Sequence, residues 1–150
     1  MKRIFIYYSL SGNGDVVAEY LEDKDVDIRK ISAIDKMPKS YIGQIITGGF
    51  LATINYKAKL IDFNNDISKY DEIIIGSPIW NSRLACPINS VLEELDLKNN
   101  KVTFIFYSGS GTSPKATEKV KELYPEANIL DIKNPKDNID SLDRTISTIL

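Results

Sequence analysis

Histidine is absent from this sequence and cysteine occurs once, at Cys86. A zinc site built from imidazoles and thiolates is therefore excluded, and so is a nucleophile activated by a histidine base. One cysteine cannot close an internal disulfide, and its solitude fits a reducing, cytoplasmic setting. No apolar run approaches the length of a membrane span, so membrane insertion is not expected. The first such run, Ile4–Tyr8, is too short for a signal-peptide core and empties into a polar loop. Excess positive charge is missing too: 19 Lys and Arg against 21 Asp and Glu give a net charge of −2, which offers nothing to hold a nucleic acid. That faint acidic balance is compatible with a basic partner but does not call for one. Low-complexity tracts, internal repeats and linker-like stretches are also lacking, so 150 residues with 43% hydrophobic content read as a single domain, 1–150.

What is present begins with Ser9-Leu10-Ser11-Gly12-Asn13-Gly14, which stands between a buried-strand pattern, Arg3–Tyr8, and a helical one. From Asp15 onward Val16, Val17, Tyr20 and Leu21 share a helical face. A strand that turns sharply into a helix offers free backbone N–H groups at the positive end of the helix dipole, a ready anion site. Two glycines allow close approach of the backbone, and Ser9, Ser11 and Asn13 add side-chain donors. The loop carries no Lys or Arg and is followed by Asp15, so a phosphate there is expected to meet neutral donors. A P-loop lysine is missing, and the third small position of a dinucleotide fingerprint falls on Val17.

Further on, Val26–Ile31 reads as an edge strand. The stretch from Ser32 to Tyr70 reads as a long crossover. Tyr41, Ile42, Ile45 and Ile46 suggest a helix packed on the sheet, with Gly48-Gly49 interrupting it or hinging a flap. Ile73-Ile74-Ile75 is a second buried strand, followed by a loop, Gly76 to Ser82, and a helix from Leu84 to Leu95 with Pro87 in its first turn. Val102–Tyr107 is a third, emptying into Ser108-Gly109-Ser110-Gly111-Thr112. Pro114 opens a helix with Ala116, Val120 and Leu123 inward; Asn128–Ile132 is a short strand and Ile139–Ile149 a terminal helix.

Five strands alternating with helices call for a three-layer α/β domain with right-handed crossovers. Five strands in 150 residues fit a parallel sheet of order 2-1-3-4-5, where the long crossover passes over strand one. Strands one, three and four are then adjacent, and these are the strands followed by loops of Gly, Ser, Asn and Pro. Ligands in such sheets sit beyond the carboxyl ends of the strands at the switch point. The three loops therefore converge where a ligand belongs, and the lone tryptophan, Trp80, lies in the second, able to stack on an aromatic ring. A receiver domain shares this order, but the third strand ends in Gly76-Ser77 instead of a phosphorylatable aspartate.

The first loop resembles the flavodoxin phosphate loop, Thr/Ser-x-Thr/Ser-Gly-x-Thr, through Ser9, Ser11 and Gly12. Gly14 departs from it where a hydroxyl residue is usual, and this removes one side-chain bond worth about 1 kcal/mol. Tyr70 to Leu92 is similar to the family's isoalloxazine loop and following helix, with Trp80-Asn81 matching its Trp-Asn pair. Ser108-Gly109-Ser110-Gly111 is similar to the third loop of the reductase-like members and lacks the outer-face tyrosine of typical flavodoxins. The resemblance implies a flavodoxin-like fold and FMN as cofactor. It implies a phosphate held by Ser9, Leu10, Ser11, Gly12, Asn13 and Gly14, and a ring held by Pro78, Ile79, Trp80, Asn81, Ser82, Ser108, Gly109, Ser110 and Gly111. Asn81 is expected to accept a positive φ. Arg83 is read as a solvated loop residue and Cys86 as a small packed hydrophobe, neither catalytic. The implied role is electron transfer with a redox partner protein. Reduction of a small-molecule acceptor such as a quinone, or non-redox binding of another phosphorylated ligand, remain alternatives. No metal is expected, and the oligomeric state is not legible.

Overall fold

The computed structural model describes residues 1–34, 38 and 40–150, with the side chain of Tyr41 also left aside. Its centre is a parallel sheet of β1 (Arg3–Tyr7), β2 (Asp27–Lys30), β5 (Glu72–Trp80), β7 (Lys101–Ser108) and β8 (Asn128–Lys133), in the order β2-β1-β5-β7-β8. Counted along the chain, these five strands have the order 2-1-3-4-5 expected from the sequence. The helices are α1 (Asn13–Glu22), α2 (Tyr41–Thr53), α3 (Cys86–Glu94), α4 (Pro114–Leu123) and α5 (Ile139–Ile146).

Strand side chains alternate between two cores, one on each face of the sheet. Ile4, Ile6, Ile73, Ile75, Phe104 and Phe106 pack with Ile88, Val91, Ala116 and Val120 on the face of α3 and α4. Phe5, Tyr7, Ile74, Ile105 and Tyr107 pack with Val17, Leu21, Leu142 and Ile146 on the face of α1 and α5. Both faces are covered, which is why these strands read as continuous apolar runs. Gly76 keeps β1 and β5 together: a Cβ there would lie 2.4 Å from the Phe5 ring and 2.8 Å from the Tyr7 Cβ. The Phe5 and Tyr7 rings stack at 4.9 Å and fill that space.

Several boundaries differ from expectation. β5 runs on through Trp80, turns at Asn81-Ser82 and returns as β6 (Arg83–Leu84), antiparallel to it. Leu84 is thus strand, and α3 starts at Cys86 with Ala85 as its extended cap. A tight hairpin outweighed the helical pattern, because both turn residues adopt positive φ, 49° and 64°, as a two-residue type I′ connection requires. Within the crossover, β3 (Ser32–Ile34) and β4 (Lys59–Ile61) form a separate antiparallel pair that no alternation announced. The helix α2 continues through Gly48-Gly49 without the expected interruption. Leu123 is 54% exposed instead of inward, and α5 ends at Ile146, with Ile149 still packed on its core.

At the amino-terminal end of the sheet Glu72 is fully buried, yet it accepts from Arg3 Nε at 2.9 Å and Thr103 Oγ1 at 2.9 Å, and pairs with Lys101 Nζ at 3.1 Å. The carboxylate thereby ties β1, β5 and β7 together across neighbouring register positions. Two charge-assisted partners and a hydroxyl offset its desolvation. Glu72→Gln is expected to cost about 1–3 kcal/mol in urea unfolding, because charge-assisted bonds are replaced by neutral ones; an unchanged midpoint would show that the cluster contributes nothing.

Candidate functional site

The carboxyl ends of β1, β5 and β7 open on one cleft, lined by Leu10, Ser11 and Asn13 from the first loop and Pro78, Ile79 and Trp80 from the end of β5. Tyr107, Ser108 and Gly109 come from β7 and its loop, Gln44 and Ile45 from α2, and Asn134 from beyond β8. Among the described residues no charged side chain lines it. Wider hollows lie elsewhere. One of about 430 Å³ sits at the opposite end of the sheet beside Glu22, Asp25 and Asp27, away from the strand ends where such folds bind ligands.

Eight of the fifteen residues singled out from the sequence line this cleft. The others shape it or turn elsewhere. Gly12 sits at the cap position of α1 with φ 91° and brings no side chain of its own, so among the described residues the first-turn N–H groups other than that of Gly14 meet no side-chain cap. Ser9 Oγ accepts from the N–H of Gly14 at 3.2 Å, which binds the loop to the helix from within. Ser82 serves α4: its hydroxyl accepts from Lys115 N at 3.2 Å and its carbonyl from Ala116 N at 2.8 Å. Ser110 and Gly111 close the third loop on itself, through Thr112 and through the 2.9 Å bond from Gly111 N to Ser108 Oγ. Asn81 has the expected positive φ, with its amide donating to Thr53 Oγ1 at 2.8 Å, so the hairpin is tied to α2. Arg83 is half-buried and donates to the Asn81 carbonyl at 3.2 Å, which makes it a brace of the turn and not a freely solvated residue. Cys86 is fully buried, as expected of a packed residue.

Trp80 is partly buried and meets Tyr8 edge to face, with ring centroids 6.0 Å apart and planes at 87°. That contact fixes the indole as one wall. Asp15, in the first turn of α1, is turned away from the cleft: Tyr7 donates to it at 2.8 Å and Lys30 at 2.7 Å. Partial burial works against its ionisation, but these two partners hold its carboxyl below the usual range. Its charge is thus neutralised at the helix end where an anion would otherwise be repelled.

Two contributors were invisible in the local pattern. Tyr107 is buried, and its hydroxyl donates to the Tyr8 carbonyl at the base of the first loop. Burial pushes that phenol well above its ordinary value, with the nearby Tyr7 and Asp15 adding to the effect. The other is Lys136, in a single 3-10 turn, Pro135–Asp137, that follows β8. Its backbone N–H donates to Asn13 Oδ1 at 3.1 Å and its ammonium to the Ser11 carbonyl at 2.8 Å. A cation 125 residues further along the chain is thus bonded to the loop's backbone, although the loop itself holds no Lys or Arg. Nothing in a linear motif points to a residue so remote; only the placement of β8 beside β7 brings it there.

A family model for flavodoxins matches residues 2–145. This chain belongs to the flavodoxin family. No curated protein sequence matches it. Among solved structures it is similar to a candidate flavoprotein from Bacteroides eggerthii, with a TM-score of 0.74 and 21% identity over 96% of this chain and 97% of that one. It is also similar to a flavoprotein from Lactobacillus acidophilus crystallised in complex with FMN, with a TM-score of 0.65 and 23% identity over 95% of this chain and 98% of that one. At such identities the likeness establishes the flavodoxin fold, and the site must be argued from these residues.

The departure at Gly14 from the family's loop pattern has a local cause. A Cβ at position 14 would lie 2.6 Å from the Tyr107 hydroxyl and 2.9 Å from Ser9 Cβ. The tyrosine occupies the space a side chain would need. Gly14→Ala is expected to destabilise the fold by about 1–3 kcal/mol through overpacking. Combining it with Tyr107→Phe, which removes the nearest atom, is expected to cost less than the sum of the two single changes in a double-mutant cycle. Strict additivity would show that the two residues do not compete for this space.

Proposed function

We propose that this protein binds FMN in the cleft and acts in low-potential electron transfer. The observation that carries the reading is the uncapped start of α1 opening onto the same cleft as the indole of Trp80. A terminal phosphate fits the first feature and a flat aromatic ring the second. The first loop, Ser9 to Gly14, would hold the phosphate through its N–H groups and the hydroxyl of Ser11. Backbone of Pro78 to Asn81 and of Ser108 and Gly109 would border the ring. Flavin supplies the redox chemistry, and the protein orients it and sets its electrostatic surroundings.

Those surroundings follow from this chain's own groups. Among the described residues no carboxylate faces the cleft, so negative charge gained by a bound ring meets repulsion chiefly from its own phosphate and little stabilising solvent. The Lys136 ammonium offsets part of the phosphate charge. It would also hold Ser11-Gly12-Asn13 in the shape that receives the phosphate, since it bonds the loop from both ends. Reduction of a small acceptor beside the ring is a second reading, favoured by the third loop: Ser108 and Gly109 bring no aromatic to cover that side.

Titration with FMN is expected to quench flavin fluorescence and release heat, whereas riboflavin, which lacks the phosphate, binds more weakly. Lys136→Met should reduce FMN affinity by about fivefold to tenfold, roughly 1 kcal/mol, and leave riboflavin affinity unchanged. Equal losses for both ligands would show that Lys136 acts on the ring site or on folding. A protein that takes up no FMN at saturation overturns the assignment in favour of another phosphorylated ligand. Rapid NAD(P)H oxidation with a quinone by the pure, FMN-loaded protein would decide for the reductase over the carrier.

A further inference from the structure

The helix α2 is packed the wrong way round for a monomer. It turns small residues, Gly48 and Ala52, into the body of the domain, and presents large apolar ones to solvent. Ile42 is 70% exposed, Ile45 56%, Ile46 67% and Phe50 63%, with Ile54 at 53% just past the helix end. The spacing of three and four residues sets Ile42, Ile45, Ile46 and Phe50 in one stripe. An amphipathic helix ordinarily buries such a stripe, and contiguous apolar patches of several hundred Å² mark interaction sites.

We propose that this stripe pairs with the same stripe of a second copy of the chain, forming a two-fold symmetric dimer. The charge pattern selects that occupant. From Tyr41 to Tyr56 there is no Asp, Glu, Lys or Arg, so a nucleic acid or charged protein surface would find no counter-charge on the stripe. A membrane surface fits poorly too, because helices that lie on one carry Lys and Arg on their polar side. An uncharged apolar stripe, in contrast, is complementary to itself, the condition for an isologous contact. The area agrees. A homodimer interface of about 800 Å² per partner, roughly 65% apolar, needs about 500 Å² of apolar surface from each copy. Five large side chains more than half exposed supply about that much, an aromatic alone being worth about 150–250 Å² when fully covered. Ile45 belongs both to the stripe and to the cleft wall, so the interface runs beside the cleft and the partner covers its rim. The proposal does not depend on what the cleft binds.

Sedimentation velocity of the purified chain, with and without FMN, is expected to give twice the mass of a single chain at micromolar concentrations. Ile46→Glu, at an exposed position outside the cleft lining, should give a monomer with an unchanged far-UV spectrum. Leu123→Glu, which alters an apolar residue on α4 that is also more than half exposed, should leave the dimer intact. A wild-type monomer throughout this range overturns the proposal, and so does a dimer indifferent to Ile46→Glu. A monomer that co-sediments with neutral lipid vesicles, and ceases to with Ile46→Glu, would assign the stripe to a membrane surface instead.

Discussion

The organisation of this protein depends on a helix end kept open. Most helices satisfy their first N–H groups with a side-chain cap. Here the cap position is Gly12, in the left-handed region, without a cap side chain of its own, and among the described residues the Ser9 hydroxyl takes only the Gly14 N–H of the first turn. The residues around it keep that state without filling it. Tyr107 rises from the core to the Tyr8 carbonyl, the adjoining Gly14 has no room for a side chain, and Lys136 holds the outer limb of the loop. Even Asp15, one of the groups able to discourage an anion, is drawn off by Lys30 and Tyr7. Unsatisfied donors at a partly enclosed helix end cost free energy in the empty protein, and an anionic ligand recovers it.

The sheet and the loops after β1 and β7 were legible because their causes are local, whereas Gly76 to Trp80, expected as a loop, continues β5. Ile73-Ile74-Ile75 and Val102–Tyr107 are covered on both faces and so appear as unbroken apolar runs. The loops after β1 and β7 are glycine- and serine-rich because the chain turns there beside a cleft. The order of the strands followed from counting them and from the length of one crossover. Asn81 was legible for a similar reason: few residues other than glycine accept the positive φ that the turn imposes.

What escaped the sequence depends on partners distant in the chain. Gly14 reads locally as the loss of a phosphate ligand, whereas the three-dimensional reason is Tyr107, 93 positions on, whose hydroxyl would be 2.6 Å from an added Cβ. Lys136 stands in an unremarkable polar segment and reaches the first loop only once β8 is laid beside β7. Ser82 looked like a ligand-facing hydroxyl because the loop around it is polar, but the start of α4 claims both its oxygens. Periodicity correctly placed a helix at Tyr41–Thr53 and could not say which side faced inward. Ile42, Ile45 and Ile46 predict a buried stripe only if larger side chains are always the ones buried. In α2 the fully buried residues are the small Gly48 and Ala52, with Gln44, Thr47 and Leu51 only partly covered.

That inversion joins the two halves of the site. The hairpin after Trp80 is held to α2 by the Asn81–Thr53 hydrogen bond, and a Cβ on Gly49 would come within 3.6 Å of the Asn81 side chain. A helix with bulky residues on this inner side would stand farther off, and Gln44 and Ile45 could no longer wall the cleft. Small inner residues let α2 lie close to the strand ends, while Ile42, Ile45, Ile46 and Phe50 face outward. The apolar stripe on the surface is the geometric consequence of the close wall on the inside. Changes that bury the stripe by enlarging the inner face would open the cleft, so the two surfaces of this helix cannot vary independently.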